Sequence, residues 1–337
     1  MHFTEWLKFG KLKLSYSEKK EILLSFIFIF LGIFSVYEFF SYSKSEPKEI
    51  ALYTFSFGLI FIPYVLFGTS LFKDFLKKKF GSVDSAYFGF SLYLFLTYLL
   101  IHYKFFDLKL AVIFFIYFLV PYLILRFLRK GEEKFDFWIF LVLLIIAIPI
   151  DLQLLPKDYS FSKLVIVDLT FFLFLIIAGI KDIGYTWNLN LKDLKIAFLG
   201  FLAFGVIALP IAIYTNFISF NPTHLSWERI LIALMVIFFF VAIPEEFFFR
   251  GIIQNLLEKS FKNKTKYAPA ISILITSIIF GLSHFYKYDW RYVFLAILGG
   301  VITGIVYYQT RKITVSAITH LLTDATWSLL FVTHWKT

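Results

Sequence analysis

Long apolar runs separated by short, mostly basic connections repeat along nearly the whole chain. A helix needs about 20 mostly apolar residues to cross the hydrocarbon core of a bilayer. Eleven runs approach that length: Ile22 to Phe40, Ile50 to Phe72, Ala86 to Tyr103, Leu108 to Leu125, Phe135 to Leu155, Leu164 to Ile180, Leu194 to Tyr214, Glu228 to Gly251, Tyr267 to Tyr286, Tyr292 to Tyr308 and Ile313 to His334. The fifth and sixth carry Asp151 and Asp168 and have shorter uncharged stretches, so the pattern predicts nine to eleven spans. An all-α, polytopic membrane helical bundle follows, because only helices and closed barrels satisfy their backbone in lipid. No internal repeat or low-complexity tract interrupts it.

The connections also predict an orientation. Alternate segments hold 22 and 10 Lys and Arg residues, and the richer set belongs in the cytoplasm, with the N-terminus inside and the C-terminus outside. Lys8, Lys11, Lys13, Lys19 and Lys20 resemble the basic start of a signal peptide, but no small-residue cleavage site follows. The first run therefore reads as an uncleaved anchor.

Composition strengthens this picture. Of 337 residues, 60% are hydrophobic and 17% charged, against roughly 45–50% and about 25% in soluble domains. That excludes a soluble globular protein. The net charge of +10 reflects 33 basic against 23 acidic residues, clustered between apolar runs, which suits a membrane surface rather than nucleic acid. The absence of cysteine excludes disulfides, thiolate nucleophiles, Fe–S clusters and thiolate zinc sites. A metal would need His and carboxylate ligands.

Ionisable residues inside a span cost at least about 2.5–3.5 kcal/mol on insertion scales and so mark function by default. Glu38 and Asp168 lie near run ends within reach of the interface, and His102, His224 and His334 lie in connections or at run ends. The remainder concentrate in the last third. In Pro244-Glu245-Glu246-Phe247-Phe248-Phe249-Arg250, Glu246 and Arg250 share a helical face and can pair, while Glu245 points about 100° away, free to face a cavity as a general base. Phe280 and His284 are also four apart, with Gly281 permitting close helix approach. His320 and Asp324 share one face of the last run, suited to coordination or to hydrogen bonding around a reacting carbonyl.

Glu245-Glu246-x-x-x-Arg250, Phe280-x-x-x-His284 and His320-x-x-x-Asp324 resemble, in order, the EExxxR, FxxxH and HxxxD/N motifs of the CPBP intramembrane endopeptidases, also called the Abi or type II CAAX protease family. The resemblance covers Glu228 to about Trp335. It implies a protease core at residues 191–337, with residues 1–190 supplying additional transmembrane helices. It also implies Glu245 as the base that activates water, His284 as a holder of that water, and His320 and Asp324 at the water or oxyanion site. Glu246 and Arg250 form a supporting pair, with Phe280 in the same structural role. The partners implied are the bilayer and a membrane-associated peptide or protein, prenylated in CAAX-type members, and the setting is the plasma membrane of a prokaryote. A zinc site from Glu245, His284 and His320 is chemically reasonable. A metal-free glutamate mechanism is the expectation, because HExxH is absent.

Two other readings stand beside it: a transporter with a Glu/His/Asp proton relay, and a non-catalytic bacteriocin-immunity or scaffold protein of the same fold. The depths also pose a problem. At about 1.5 Å per residue, Glu245 lies about 25 Å from the outer end of a run beginning at Glu228, and His284 about 25 Å from the inner end of its antiparallel neighbour. The motifs then meet only if the eighth helix is long and tilted, or if the ninth starts deeper than Tyr267.

Overall fold

With no water in the bilayer core to hydrogen-bond the backbone, each apolar run must close its own hydrogen bonds as a helix. The computed structural model describes residues 14–42, 46–79, 82–102, 108–129, 133–151, 159–285 and 289–335. Over these residues it is an all-α membrane bundle of twelve helices. The first seven are α1 (Tyr16–Tyr42), α2 (Pro47–Leu66), α3 (Ser70–Lys79), α4 (Val83–His102), α5 (Leu108–Leu123), α6 (Phe137–Asp151) and α7 (Tyr159–Phe172). The other five are α8 (Leu191–Tyr214), α9 (Trp227–Phe261), α10 (Ala268–Ser283), α11 (Trp290–Thr310) and α12 (Ile313–Leu330). Six of them, α1, α2, α4, α8, α9 and α11, are long and apolar enough to cross a membrane.

The structure redraws three expected runs. The second breaks after α2, where Gly68 lies so close to the buried Trp187 that a Cβ would overlap its indole. Trp187 Nε1 donates to the Val65 carbonyl at 2.7 Å, and the chain restarts as the short amphipathic α3. The eighth run continues ten residues past Gly251, to Phe261. The last ends at Leu330, beyond which Phe331–Thr333 pair antiparallel with Ile218–Phe220. Asp168 is also placed differently: it sits within α7 and is fully buried in the bundle.

The longer α9 resolves the depth problem. Glu245 and His284 each lie sixteen residues from the α9–α10 turn, counted from Phe261 and Ala268. At about 1.5 Å per residue both reach the same depth, about 24 Å from it. Small residues bring α10 and α11 together. A Cβ on Gly281 would overlap the Ile297 side chain and lie 2.8 Å from the Val293 carbonyl oxygen, and one on Gly300 would lie 3.1 Å from Ser277 Cα.

An extended strap, residues 178–190, joins α7 to α8. Its backbone turns through the left-handed region at Gly179, Asp182 and Gly184. A Cβ on Gly184 would overlap the Arg311 carbonyl oxygen, so the close approach requires glycine there. Lys20, Lys73 and Lys312 donate to the strap carbonyls of Leu189, Tyr185 and Asn188. Lysines from both ends of the chain thus hold one segment. Asn190 and Asp193 form a capping box that opens α8, which packs on α11 and α12.

Candidate active site

Pro244 removes one backbone donor from the middle of α9, and the helix answers with wide, π-type turns at Ile237–Ala242 and Phe247–Gln254. Between them one ordinary α turn, Ile243–Glu246, carries the two acids. Their surroundings differ. The Glu246 side chain is 0% exposed, whereas that of Glu245 is 26% exposed and lines a cavity.

Glu246 is held from two sides. Arg250 Nε approaches its Oε2 at 3.2 Å, one helical turn on, and His320 Nδ1 from α12 lies 3.1 Å from its Oε1. Carboxylates face both ring nitrogens, so each is placed as a donor, and Nε2 is the one the imidazole offers the cavity. Nε2 lies 3.3 Å from Asp324 Oδ2 and 3.9 Å from Glu245 Oε2. Arg250 also donates to Thr303 Oγ1 of α11, at 3.1 Å from Nε and 2.6 Å from Nη2. The five charged residues of the first and third motifs are thereby gathered at one point.

The second motif supplies the floor. The Phe280 ring lies under the Arg250 guanidinium, 5.1 Å from centroid to Cζ, and meets the His320 ring edge-on at 6.0 Å. His284, at the C-terminal cap of α10, stacks obliquely on Phe280 at 4.7 Å and donates from Nδ1 to the Phe280 carbonyl at 2.8 Å. That bond leaves Nε2 as its acceptor nitrogen. Edge-on contact with Tyr292 at 5.1 Å limits the ring's rotation.

All of these groups except Glu246, Arg250 and the helix backbone contribute to the wall of one cavity of about 2060 Å³. Glu245, His284, His320 and Asp324 line it together with residues of α6 and α7, including Lys163. The N-terminal helices are therefore part of the cavity as well as neighbours of the motif helices. Among the described residues, no group of three or more His, Cys, Asp or Glu side chains is placed to hold a metal ion.

Sequence reading brought out the residues of all three motifs but missed Thr303 and Lys163. A threonine in an apolar run has no motif signal, and its role depends on a helix 53 residues away. Lys163 stands at the head of the sixth run, where a basic residue reads as an interface anchor.

Residues 226–326 match the family model "Type II CAAX prenyl endopeptidase Rce1-like". No curated protein and no solved structure matches the chain. The matched stretch begins at the foot of α9, ends within α12 and contains every residue of the three motifs. Residues 226–326 of this integral membrane protein are therefore a domain of the Rce1-like type II CAAX prenyl endopeptidase family, a family of intramembrane peptidases.

Proposed function

We propose that the chain hydrolyses a peptide bond in a membrane-associated protein or peptide of the prenylated, CAAX type, without a metal, using Glu245 to activate water. The observation that supports this most is the division of labour between the adjacent acids. Glu246 is fully buried and engaged by Arg250 and His320, while Glu245 faces the cavity beside His320 and Asp324.

Glu245 takes a proton from a water held by His284 Nε2 as an acceptor. The water oxygen bonds to the scissile carbonyl carbon, and the carbonyl oxygen becomes an oxyanion that accepts from the N–H of His320 Nε2, a proton that Asp324 on the same nitrogen keeps in place. As the C–N bond breaks, Glu245 passes its proton to the departing amine. Glu246 and Arg250 keep His320 at a fixed angle throughout. The peptidase core comprises residues 191–337, because α8 packs directly on α11 and α12. The protein resides in the plasma membrane of a prokaryote, with its N-terminus in the cytoplasm, as the basic connections indicate.

The test is cleavage of an S-farnesylated CAAX peptide and of a peptide library by the full chain in nanodiscs. Glu245→Gln is expected to lower turnover by about 10²–10⁴-fold with an unchanged Tm, and a chelator to have no effect. Full turnover in Glu245→Gln would overturn the base assignment. Loss with chelator that added zinc restores would replace the metal-free reading. Equal inactivity of both proteins on every peptide would favour a transport or scaffold role.

A further inference from the structure

The cavity is lined from both within and outside the family-matched region, and its charges are unevenly divided between the two sets of residues. Glu245 and Asp324 bring negative charge from α9 and α12. Among the described lining residues, Lys163 of α7 is the one Lys or Arg, and it lies outside residues 226–326. It lines the same cavity as Glu245 from a different helix, among mainly apolar neighbours, and is close enough for the two charges to interact.

A CAAX sequence ends in a free carboxylate three residues beyond the prenylated cysteine, about 10 Å along an extended chain from the bond to be cut. With the scissile carbonyl at Glu245, that carboxylate enters the same cavity. There it meets two protein carboxylates in surroundings of low dielectric, where a like charge is repelled and a cation is needed to hold it. The lysine on α7 is the group that meets this need. We infer that Lys163 binds the C-terminal carboxylate of the substrate, making the N-terminal helices a specificity element that selects chain ends over internal segments. This inference rests on the peptidase reading above. It makes Lys163 a positioning residue, placed to bind the product side of the bond.

The test uses full-length protein in nanodiscs and one probe pair: a fluorophore-labelled, S-farnesylated CAAX tetrapeptide as its C-terminal acid and as its C-terminal amide. Wild type is expected to favour the acid by at least about tenfold in kcat/KM. Lys163→Gln is expected to bring that ratio to about one, with the loss falling on KM, while Lys163→Arg keeps most of the preference. A wild type that treats acid and amide alike overturns the inference, as does a Lys163→Gln protein that keeps the full preference. Binding of the pair to Glu245→Gln, read by fluorescence polarisation, separates this inference from the peptidase reading. Acid-selective binding that an added Lys163→Gln removes, with no cleavage by wild type, supports the carboxylate site and sinks the hydrolytic reading. Binding without selectivity, or no binding of either peptide, overturns the carboxylate site.

Discussion

The helices before the strap and those after it are held together by different forces. In α2, α4 and α7 the contacts are rings on rings: Tyr64 and Phe171 at 5.2 Å, Phe67 and Phe171 at 5.9 Å, Phe90 and Phe172 at 5.4 Å. Hydrogen bonds there are mostly single, from a side-chain hydroxyl to a backbone carbonyl, as from Tyr87 to Phe118 at 2.6 Å and from Tyr93 to Leu59 at 2.6 Å. In α9, α11 and α12 the contacts are charged and shared. Glu246 engages Arg250 and His320, and Arg250 engages Glu246 and Thr303. Lipid is as apolar as Phe or Leu, so ring packing in a membrane gives cohesion with little directional preference. A buried ionic network does the opposite, since each member has few acceptable positions. The first region is therefore a scaffold tolerant of small shifts, and the second fixes angles.

Removing Arg250 tests this contrast most severely. Arg250→Ala leaves Glu246, with no exposed surface, without its cationic neighbour on the same helix, and breaking a buried pair in this way costs about 3–5 kcal/mol. Thermal unfolding in detergent should show a large fall in Tm together with poor expression. Tyr87→Phe, in the aromatic region, removes one hydrogen bond and should cost only about 1 kcal/mol. Equal losses in the two proteins would dissolve the distinction. A stable Arg250→Ala protein with altered turnover alone would show that the pair is not structural.

A smaller effect is expected where α10, which carries the second motif, touches α11. Gly281→Ala would push a methyl group into the Ile297 side chain and toward the Val293 carbonyl, forcing α10 from α11. Such overpacking costs about 1–3 kcal/mol. Because His284 follows three residues later, activity should fall further than stability does, and comparison of kcat with Tm shows this. A loss of Tm with kcat untouched would mean that His284 is positioned by Tyr292 instead.

How much of this was legible in the sequence follows the same division. Motif spacing placed Glu246 with Arg250 and separated Glu245 from both, because i and i+4 share a face wherever a helix forms. It could not show that His320 completes the Glu246 pair, since the bond spans 74 residues. The end of α9 was hidden because Asn255, Glu258 and Lys259 look like a connection by polarity. In the structure Asn255 bonds the Lys181 carbonyl and Glu258 bonds Arg311, partners that lie far away in sequence. The Phe331–Thr333 strand was equally hidden, being an apolar end to an apolar run whose pairing with Ile218–Phe220 has no local signal.

Asp168 gives the smallest and most pointed test. It lies within α7, fully buried, and neither carboxylate oxygen has a hydrogen-bond partner among the described residues. In a scaffold held by aromatic packing an unpaired carboxyl contributes nothing, and burying one unsatisfied polar group costs on the order of 1 kcal/mol or more. Asp168→Val, apolar and nearer in volume than the larger aliphatic residues, should therefore raise stability by about 1 kcal/mol and leave cleavage of the amide and acid probes unchanged. Thermal unfolding and the peptide assay read both quantities on one preparation. If Tm falls instead, the carboxyl is bound within the bundle, and the helices before the strap hold a polar site of their own. The contrast between a packed half and a bonded half would then fail at α7, the helix that carries Lys163 to the cavity.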